Sequence, residues 1–285
     1  MKTVFRDPEH EAEFRKKGFL VLPYGDAIWA HDIKDHLLSL RPNDAYEGNQ
    51  PTLIGQQSFH ITFFDANAQY KQQVFAYAQM LLKDFTRLTF NGYVCAQANA
   101  FIKPSGKGFV HPHQNLTIVD EEKYTSVSVW IPLQDTNLKN GTLCVVPGSQ
   151  NGFEIWRNTH VYWPYIDFFR NGEGRSYFEA INVKAGEVLI LDDRIVHYTP
   201  ENKSSEDRWV FHSLWKPEEA EVLFTDPGEE DVKIYKVNTD FWQQSMPGER
   251  PPDTAPVITL PRTDRKMNES ELLNFLEQLR AAQRP

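Results

Sequence analysis

The sequence predicts a mainly β protein with flanking helices: a double-stranded β-helix, or jelly roll, with N-terminal helices packed on one sheet. Three observations lead there. After Asn91-Gly92 the apolar period becomes two, in short segments each bounded by Gly, Pro, Asn or Asp, the pattern of many short strands joined by turns. Helix-like patterns gather before residue 90, where they can cover an outer sheet face. With 285 residues, 40% apolar and 13% aromatic, the chain is long enough to bury a full core.

In chain order, Asp and Pro start signals precede helix-like patterns at residues 8–17 and 26–40, with Gly18 and Pro42 as stops. Between them GFLVLP reads as a short strand. Residues 69–90 carry the strongest helix pattern: Tyr70, Val74, Tyr77, Leu81, Phe85 and Leu88 form one apolar stripe at three- and four-residue spacing. Strands are expected at 93–103, 125–133, 142–146, 181–183, 187–191 and 209–215. Residues 151–180, rich in aromatics and arginine, do not fit a minimal jelly roll and read as a lid or binding loop or as a long loop packed on the sheet. A Pro-rich run at 247–261 leads into a helix that Asn268 and Glu271 can cap reciprocally. The expectation is one domain over 1–285: a helical cover at 1–90, a core at 91–216 holding the 151–180 insertion, and a peripheral extension at 217–285.

Charge and cysteine usage exclude several classes. A formal net charge of −9 without any basic run argues against nucleic acid as the main partner. Cys95 and Cys144, each in an apolar run, are too few for a disulfide framework or a thiolate zinc site and read as reduced core residues. The N-terminus turns acidic before a leader's apolar region develops, and no window approaches 18 apolar residues. A cytoplasmic protein is expected, off the membrane, monomeric or homodimeric, acting on a small molecule.

The chemistry concentrates in residues 110–150. His111, His113 and Asn115 alternate, so on a strand they share a face. His197 follows the apolar VLIL and the turn-like Asp192-Asp193-Arg194, where a jelly-roll strand delivers a side chain into the barrel mouth. Two histidines and a carboxylate with open positions form the non-haem Fe(II) site; here the candidate third position holds Asn115. Arg208 offers a planar fork for a carboxylate, against the alternative of a surface pair with Glu206 or Asp207.

The pieces HQN, VDEEKY, SVWIPLQDTNLKNGTLCVVPGSQ and GEVLILDDRIVHYTPENKSSEDRW, in this order and spacing, resemble the phytanoyl-CoA dioxygenase family of Fe(II)- and 2-oxoglutarate-dependent oxygenases. The resemblance runs from about residue 14 to 215. It implies a dioxygenase that uses Fe(II), O2 and the cosubstrate 2-oxoglutarate to oxidise a small organic molecule. It places His113 and His197 on the metal ligands, Asn115 on the ligand position normally held by Asp, and Arg208 and Thr199 on the cosubstrate's far carboxylate. Trp130 falls on a tryptophan lining the cosubstrate pocket. Lys103 falls near a Lys-Pro-Gly element, although a solvated strand-end lysine is the commoner outcome. Asn115 leaves two further readings open: His111, His113 and His197 as an all-imidazole triad, or a catalytically weakened relative that keeps the scaffold as a metal- or ligand-binding protein. Asp120 reads as a turn or capping acid, and His60 and His212 as structural.

Overall fold

The first helix, α1 (Pro8–Lys17), shows why the local signals work. Asp7 Oδ1 accepts from the backbone N–H of Glu9 at 2.8 Å and of His10 at 3.3 Å, and Pro8 fills a first-turn position whose N–H has no helical partner. Gly18 ends the helix at φ 82°, a left-handed conformation that favours glycine, and a Cβ there would displace the end of the Gln150 side chain, whose Oε1 would lie 2.3 Å away. Strand β1 (Phe19–Pro23) and helix α2 (Ala27–Leu40) follow. The computed structural model describes residues 2–40, 50–52, 55–153, 156–158, 164–170, 172–252, 254–262 and 267–283. The expected stop at Pro42 lies outside them, as do His160, Tyr162 and Trp163 of the insertion.

Strands β2 (Gln50–Thr52) and β3 (Gly55–Gln57) pair with each other, and β4 (His60–Ile61) precedes helices α3 (Ala68–Leu81) and α4 (Lys83–Thr89). The single helix expected over 69–90 is therefore two, broken at the fully buried Leu82. The break resets the helical phase: Tyr70, Val74, Ala78 and Phe85 stay buried, while Leu88 is turned out and 62% exposed.

The strands of the central region are β5 (Tyr93–Lys103), β6 (Val110–His113), β7 (Val127–Pro132) and β8 (Cys144–Val145), then β9 (Glu179–Ala180), β10 (Glu187–Asp192), β11 (His197–Thr199) and β12 (Arg208–Pro217). No regular strand forms at 181–183, although the segment stays tied to its neighbours: Ile181 N–H donates to Leu143 O at 2.9 Å and Thr136 N–H to Val183 O at 2.8 Å, and the hydroxyls of Thr142 and Thr136 donate to the carbonyls of Ile181 and Val183. Strands β13 (Val222–Pro227), β14 (Asp231–Val237) and β15 (Ile258–Pro261) form an antiparallel sheet of their own. Helix α5 (Ile166–Arg170) lies in the insertion; α6 (Phe241–Gln244) and α7 (Glu269–Gln283) lie in the extension. Asn268 and Glu271 exchange backbone N–H bonds at 3.0 Å, the expected cap of α7. That helix buries Leu272 and Leu276 against Phe153, Tyr165 and Phe169 of the insertion.

A six-stranded antiparallel sheet runs β1-β10-β7-β12-β5-β4, and a four-stranded sheet runs β6-β11-β8-β9. Period-two alternation sorts the long strands between two environments. Ala98, Ala100 and Ile102 of β5, Val129 and Ile131 of β7, and Trp209 and Phe211 of β12 pack with helix residues such as Ile33, Leu37 and Val74. Their neighbours Phe101, Trp130 and Val210 pack instead with Val145 of the smaller sheet and with Leu143, Leu189 and Leu191. The fold is the expected jelly roll with helices on one outer face. Among the described residues no helix is long and apolar enough to cross a membrane.

Candidate functional site

The smaller sheet brings His113 and His197 opposite each other, because β6 and β11 pair in that register. Their rings stand 4.3 Å apart at 50°. His113 Nδ1 bonds to His111 O at 2.7 Å and His197 Nδ1 to Ile195 O at 2.9 Å. A carbonyl only accepts, so Nδ1 carries the proton on each ring and Nε2 keeps its lone pair. Burial lowers the pKa of both, that of His197 strongly and further because His113 lies beside it, so both rings are neutral at physiological pH. Two neutral imidazoles oriented by backbone carbonyls are what a divalent metal requires of histidine.

Asn115 follows two residues after His113 and is held tightly. Its backbone N–H donates to Asp193 O at 2.9 Å, and its Nδ2 donates to Asp193 Oδ1 and Ser128 Oγ, each at 2.9 Å. Arg157 of the insertion donates from Nε to Asn115 O at 2.7 Å and pairs with Glu121, which ties the insertion to this strand. His111 does not join the pair. Its ring is exposed and sits edge-on to Phe109 at 5.0 Å, and only its carbonyl meets His113. Among the described residues no three His, Cys, Asp or Glu side chains are grouped to hold a metal, so the all-imidazole triad does not assemble. Asp120 serves a turn, accepting from Glu122 N–H and pairing with Lys123.

Arg208 lies at the start of β12 and faces the interior. It is fully buried, and none of its three guanidinium nitrogens has a hydrogen-bond partner. The surface pairs with Glu206 or Asp207 do not form; Asp207 instead accepts from Ser105 N–H at 3.0 Å. The guanidinium lies over Phe101 at 4.9 Å and Trp130 at 5.6 Å. Burial pushes its pKa down to about 9, which leaves it charged at neutral pH. The Thr199 hydroxyl is likewise buried and unpartnered.

Lys103 is the sharpest departure from expectation. It is fully buried rather than solvated, and it stands opposite Arg208 in the β5–β12 register. Its Nζ donates to Thr199 O at 3.1 Å and Pro200 O at 2.6 Å. Burial and the neighbouring guanidinium hold its pKa well below the usual lysine range. Cys95 and Cys144 are free and buried, as expected.

Sequence reasoning missed a polar network behind the site. Phe63 N–H occupies Asn99 Oδ1 at 2.9 Å, so Asn99 presents Nδ2 to His212 Nδ1 at 3.2 Å. His212 Nε2 then donates to Ser128 Oγ at 3.1 Å, and Ser128 Oγ to Asp193 Oδ1 at 2.7 Å. The chain ends on Asp193, fully buried, whose Oδ2 has no partner. The one signal in the sequence was Asp193 itself, adjacent to an acid that the following Arg194 neutralises.

Comparisons with known proteins bear on the family and the fold. A model of the family described as phytanoyl-CoA dioxygenase matches residues 14–210. A phytanoyl-CoA dioxygenase of Arabidopsis thaliana is 28% identical over 122 residues, 39% of this chain and 40% of that protein. A phytanoyl-CoA dioxygenase domain-containing protein 1 of Bos taurus is 29% identical over 132 residues, 41% and 45% of the two chains. The match thus spans less than half the length of each relative. Among solved structures, the non-heme alpha ketoglutarate dependent epimerase SnoN of nogalamycin biosynthesis superposes with a TM-score of 0.52 at 16% identity, over 88% of this chain and 94% of that one. Iron-bound HygX of Streptomyces hygroscopicus gives 0.51 at 16% identity, over 75% and 87%. At these identities the structural likeness is one of fold.

Proposed function

Because the chain belongs to the phytanoyl-CoA dioxygenase family, we propose that it is an Fe(II)- and 2-oxoglutarate-dependent oxygenase that uses O2 to hydroxylate or otherwise oxidise a small organic molecule. The observation that carries this reading is Arg208, a fully buried cation whose three nitrogens are all unpartnered. Such a group is costly unless an anion reaches it. Its fork matches a carboxylate bidentately, and the unpartnered Thr199 hydroxyl offers one more donor. The far carboxylate of 2-oxoglutarate is the occupant, with Trp130 and Phe101 as apolar walls.

The donor set fits a divalent ion: Nε2 of His113, Nε2 of His197, and Oδ1 of Asn115. The bound metal supplies activation of O2 coupled to oxidative decarboxylation of the cosubstrate. This chain's residues do the rest. Backbone carbonyls at His111 and Ile195 keep both imidazoles in the ligating tautomer. Arg208 and Thr199 fix the cosubstrate, and the apolar side chains of Leu143, Val145, Leu189 and Val210 exclude water from the interior. The net charge of −9 supports a small-molecule substrate over nucleic acid, and a cytoplasmic monomer or homodimer remains part of the reading.

Anaerobic addition of Fe(II) and 2-oxoglutarate tests it, through the visible charge-transfer band of the chelate and succinate formation once O2 is admitted. Neither signal at saturating iron sinks the oxygenase. Asn115 favours one second reading, a metal- or ligand-binding protein with weakened chemistry, because a neutral amide binds a divalent ion less well than a carboxylate. That reading expects a band only after Asn115→Asp.

A further inference from the structure

The network behind Asn115 terminates on a buried carboxyl that no cation partners. Asp193 is fully buried and receives hydrogen bonds on Oδ1 from Ser128 Oγ and Asn115 Nδ2; the Ser126 hydroxyl also favours its ionised form, but no donor meets Oδ2 in full hydrogen-bond geometry. Arg194, the adjacent cation, is committed to Asp192 by contacts of 2.9 and 2.6 Å. Among the described residues no Lys or Arg forms an ion pair with Asp193. Burial without a cation pushes the Asp193 pKa up to about 6, so the ionised form that prevails at pH 7 is costly unless a positive charge arrives nearby.

The direction of the hydrogen bond between Asn115 and Asp193 is fixed by the carboxylate. A carboxylate only accepts, so the Asn115 amide must present Nδ2 to Asp193, which leaves Oδ1 as the atom available to the site. No hydrogen bond among the described residues engages that Oδ1. The backbone repeats the attachment, since Asn115 N–H donates to Asp193 O. An amide that donates to an anion is polarised toward its oxygen, which becomes the better ligand.

We propose that Asp193 is the positioning residue of the metal centre: it locks the Asn115 amide with Oδ1 free for the ion, and it supplies from directly behind the ligand the negative charge that the ligands themselves lack. The centre then keeps the net charge of a two-histidine, one-carboxylate site, with the carboxylate moved one hydrogen bond outward. This inference rests on the oxygenase reading for the location of the metal. It adds that Asn115 is a ligand completed by a partner 78 positions away, not a lost one.

The test uses the full-length chain and Mn(II) alone, a redox-silent probe, with affinity read by calorimetry in the wild type, Asp193→Asn, Asn115→Asp and the double variant. Asp193→Asn is expected to weaken Mn(II) binding at least tenfold in the wild-type background. In the Asn115→Asp background, where the ligand carries its own charge, the same change is expected to leave affinity unchanged or to raise it. An effect below threefold in the wild-type background, or an equal loss in both, overturns the proposal, because a structural role would not depend on the ligand's charge. Apoprotein melting adds a measurement that does not require Asp193→Asn to fold. Asn115→Asp sets two carboxylates where one 2.9 Å contact now stands, so it is expected to lower the apo Tm by several degrees and to recover it with Mn(II); an unchanged apo Tm also overturns the proposal. A wild-type chain that binds no Mn(II) brings down the oxygenase reading itself, and this inference with it.

Discussion

Lys103 and Arg208 stand directly across from each other on neighbouring strands, and both side chains are fully buried. They meet burial differently. Lys103 donates to two carbonyls, at Thr199 and Pro200, while the Arg208 guanidinium has no hydrogen-bond partner. One basic side chain is thus spent on structure, and the other, a charged guanidinium, is held for a ligand.

Arg208→Ala is expected to weaken 2-oxoglutarate binding by about 2–3 kcal/mol, roughly 30- to 150-fold, the range of a charge-assisted bidentate contact. Mn(II) affinity without cosubstrate should stay as in the wild type. Arg208→Lys keeps the charge but loses the fork, so an intermediate loss is expected. Titration of the Mn(II)-loaded protein with 2-oxoglutarate measures all three, and equal cosubstrate affinity in wild type and Arg208→Ala would remove Arg208 from its assigned role.

Lys103→Ala should destabilise the fold by about 2–4 kcal/mol, since it opens a cavity and strips the donor from two carbonyls. Lys103→Met, which fills most of the volume, should cost less than the alanine change. Urea unfolding gives both values. A Lys103→Ala protein as stable as the wild type would mean that the Thr199–Pro200 contacts carry no weight.

Metal binding should stabilise the wild type and leave His113→Ala and His197→Ala unmoved. At about 100 times its Kd, Mn(II) is expected to add about 2.7 kcal/mol. Chelation should return the wild type to the apo value. The discriminating measurement is the Tm of each protein with and without metal; a shift that survives both substitutions places the ion elsewhere.

The pH dependence of stability should carry the signature of His212. Burial, with His113 nearby, pushes its pKa down to about 4, and its tautomer donates from Nε2 to Ser128. The unfolded chain takes up the proton near pH 6.5 and the folded one only near 4, so stability is full above pH 6.5, falls as pH drops toward 4, and flattens below. The span corresponds to up to about 3 kcal/mol, reduced to about 2 by water reaching the partly buried ring. His212→Gln should remove one proton's worth of slope from a urea-midpoint series between pH 7 and 4. A parallel pair of curves would refute the assignment.

By itself the sequence determined what local rules govern. The Asp7-Pro8 start and Gly18 stop of α1, the period-two strands and the Asn268–Glu271 cap each depend on residues within a few positions of one another. The order of His113, Asn115, His197, Thr199 and Arg208 along two family-like stretches was enough to name the candidate site. Tertiary structure alone decided which of those side chains meet and in what electrostatic state. His111 does not keep the face it would share with His113, because the β6–β11 register shifts between His197 and Thr199 and sets Val110, not His111, opposite Thr199. Lys103 became buried because its strand places it beside Arg208. Asp193 became the neighbour of Asn115 through contacts linking Asn99, Ser128, His212 and Asp193 across separate strands and a turn. Burial and pairing of charge are set by register and sheet packing, which join residues far apart in the chain, and no local pattern encodes which distant partner a polar side chain will find.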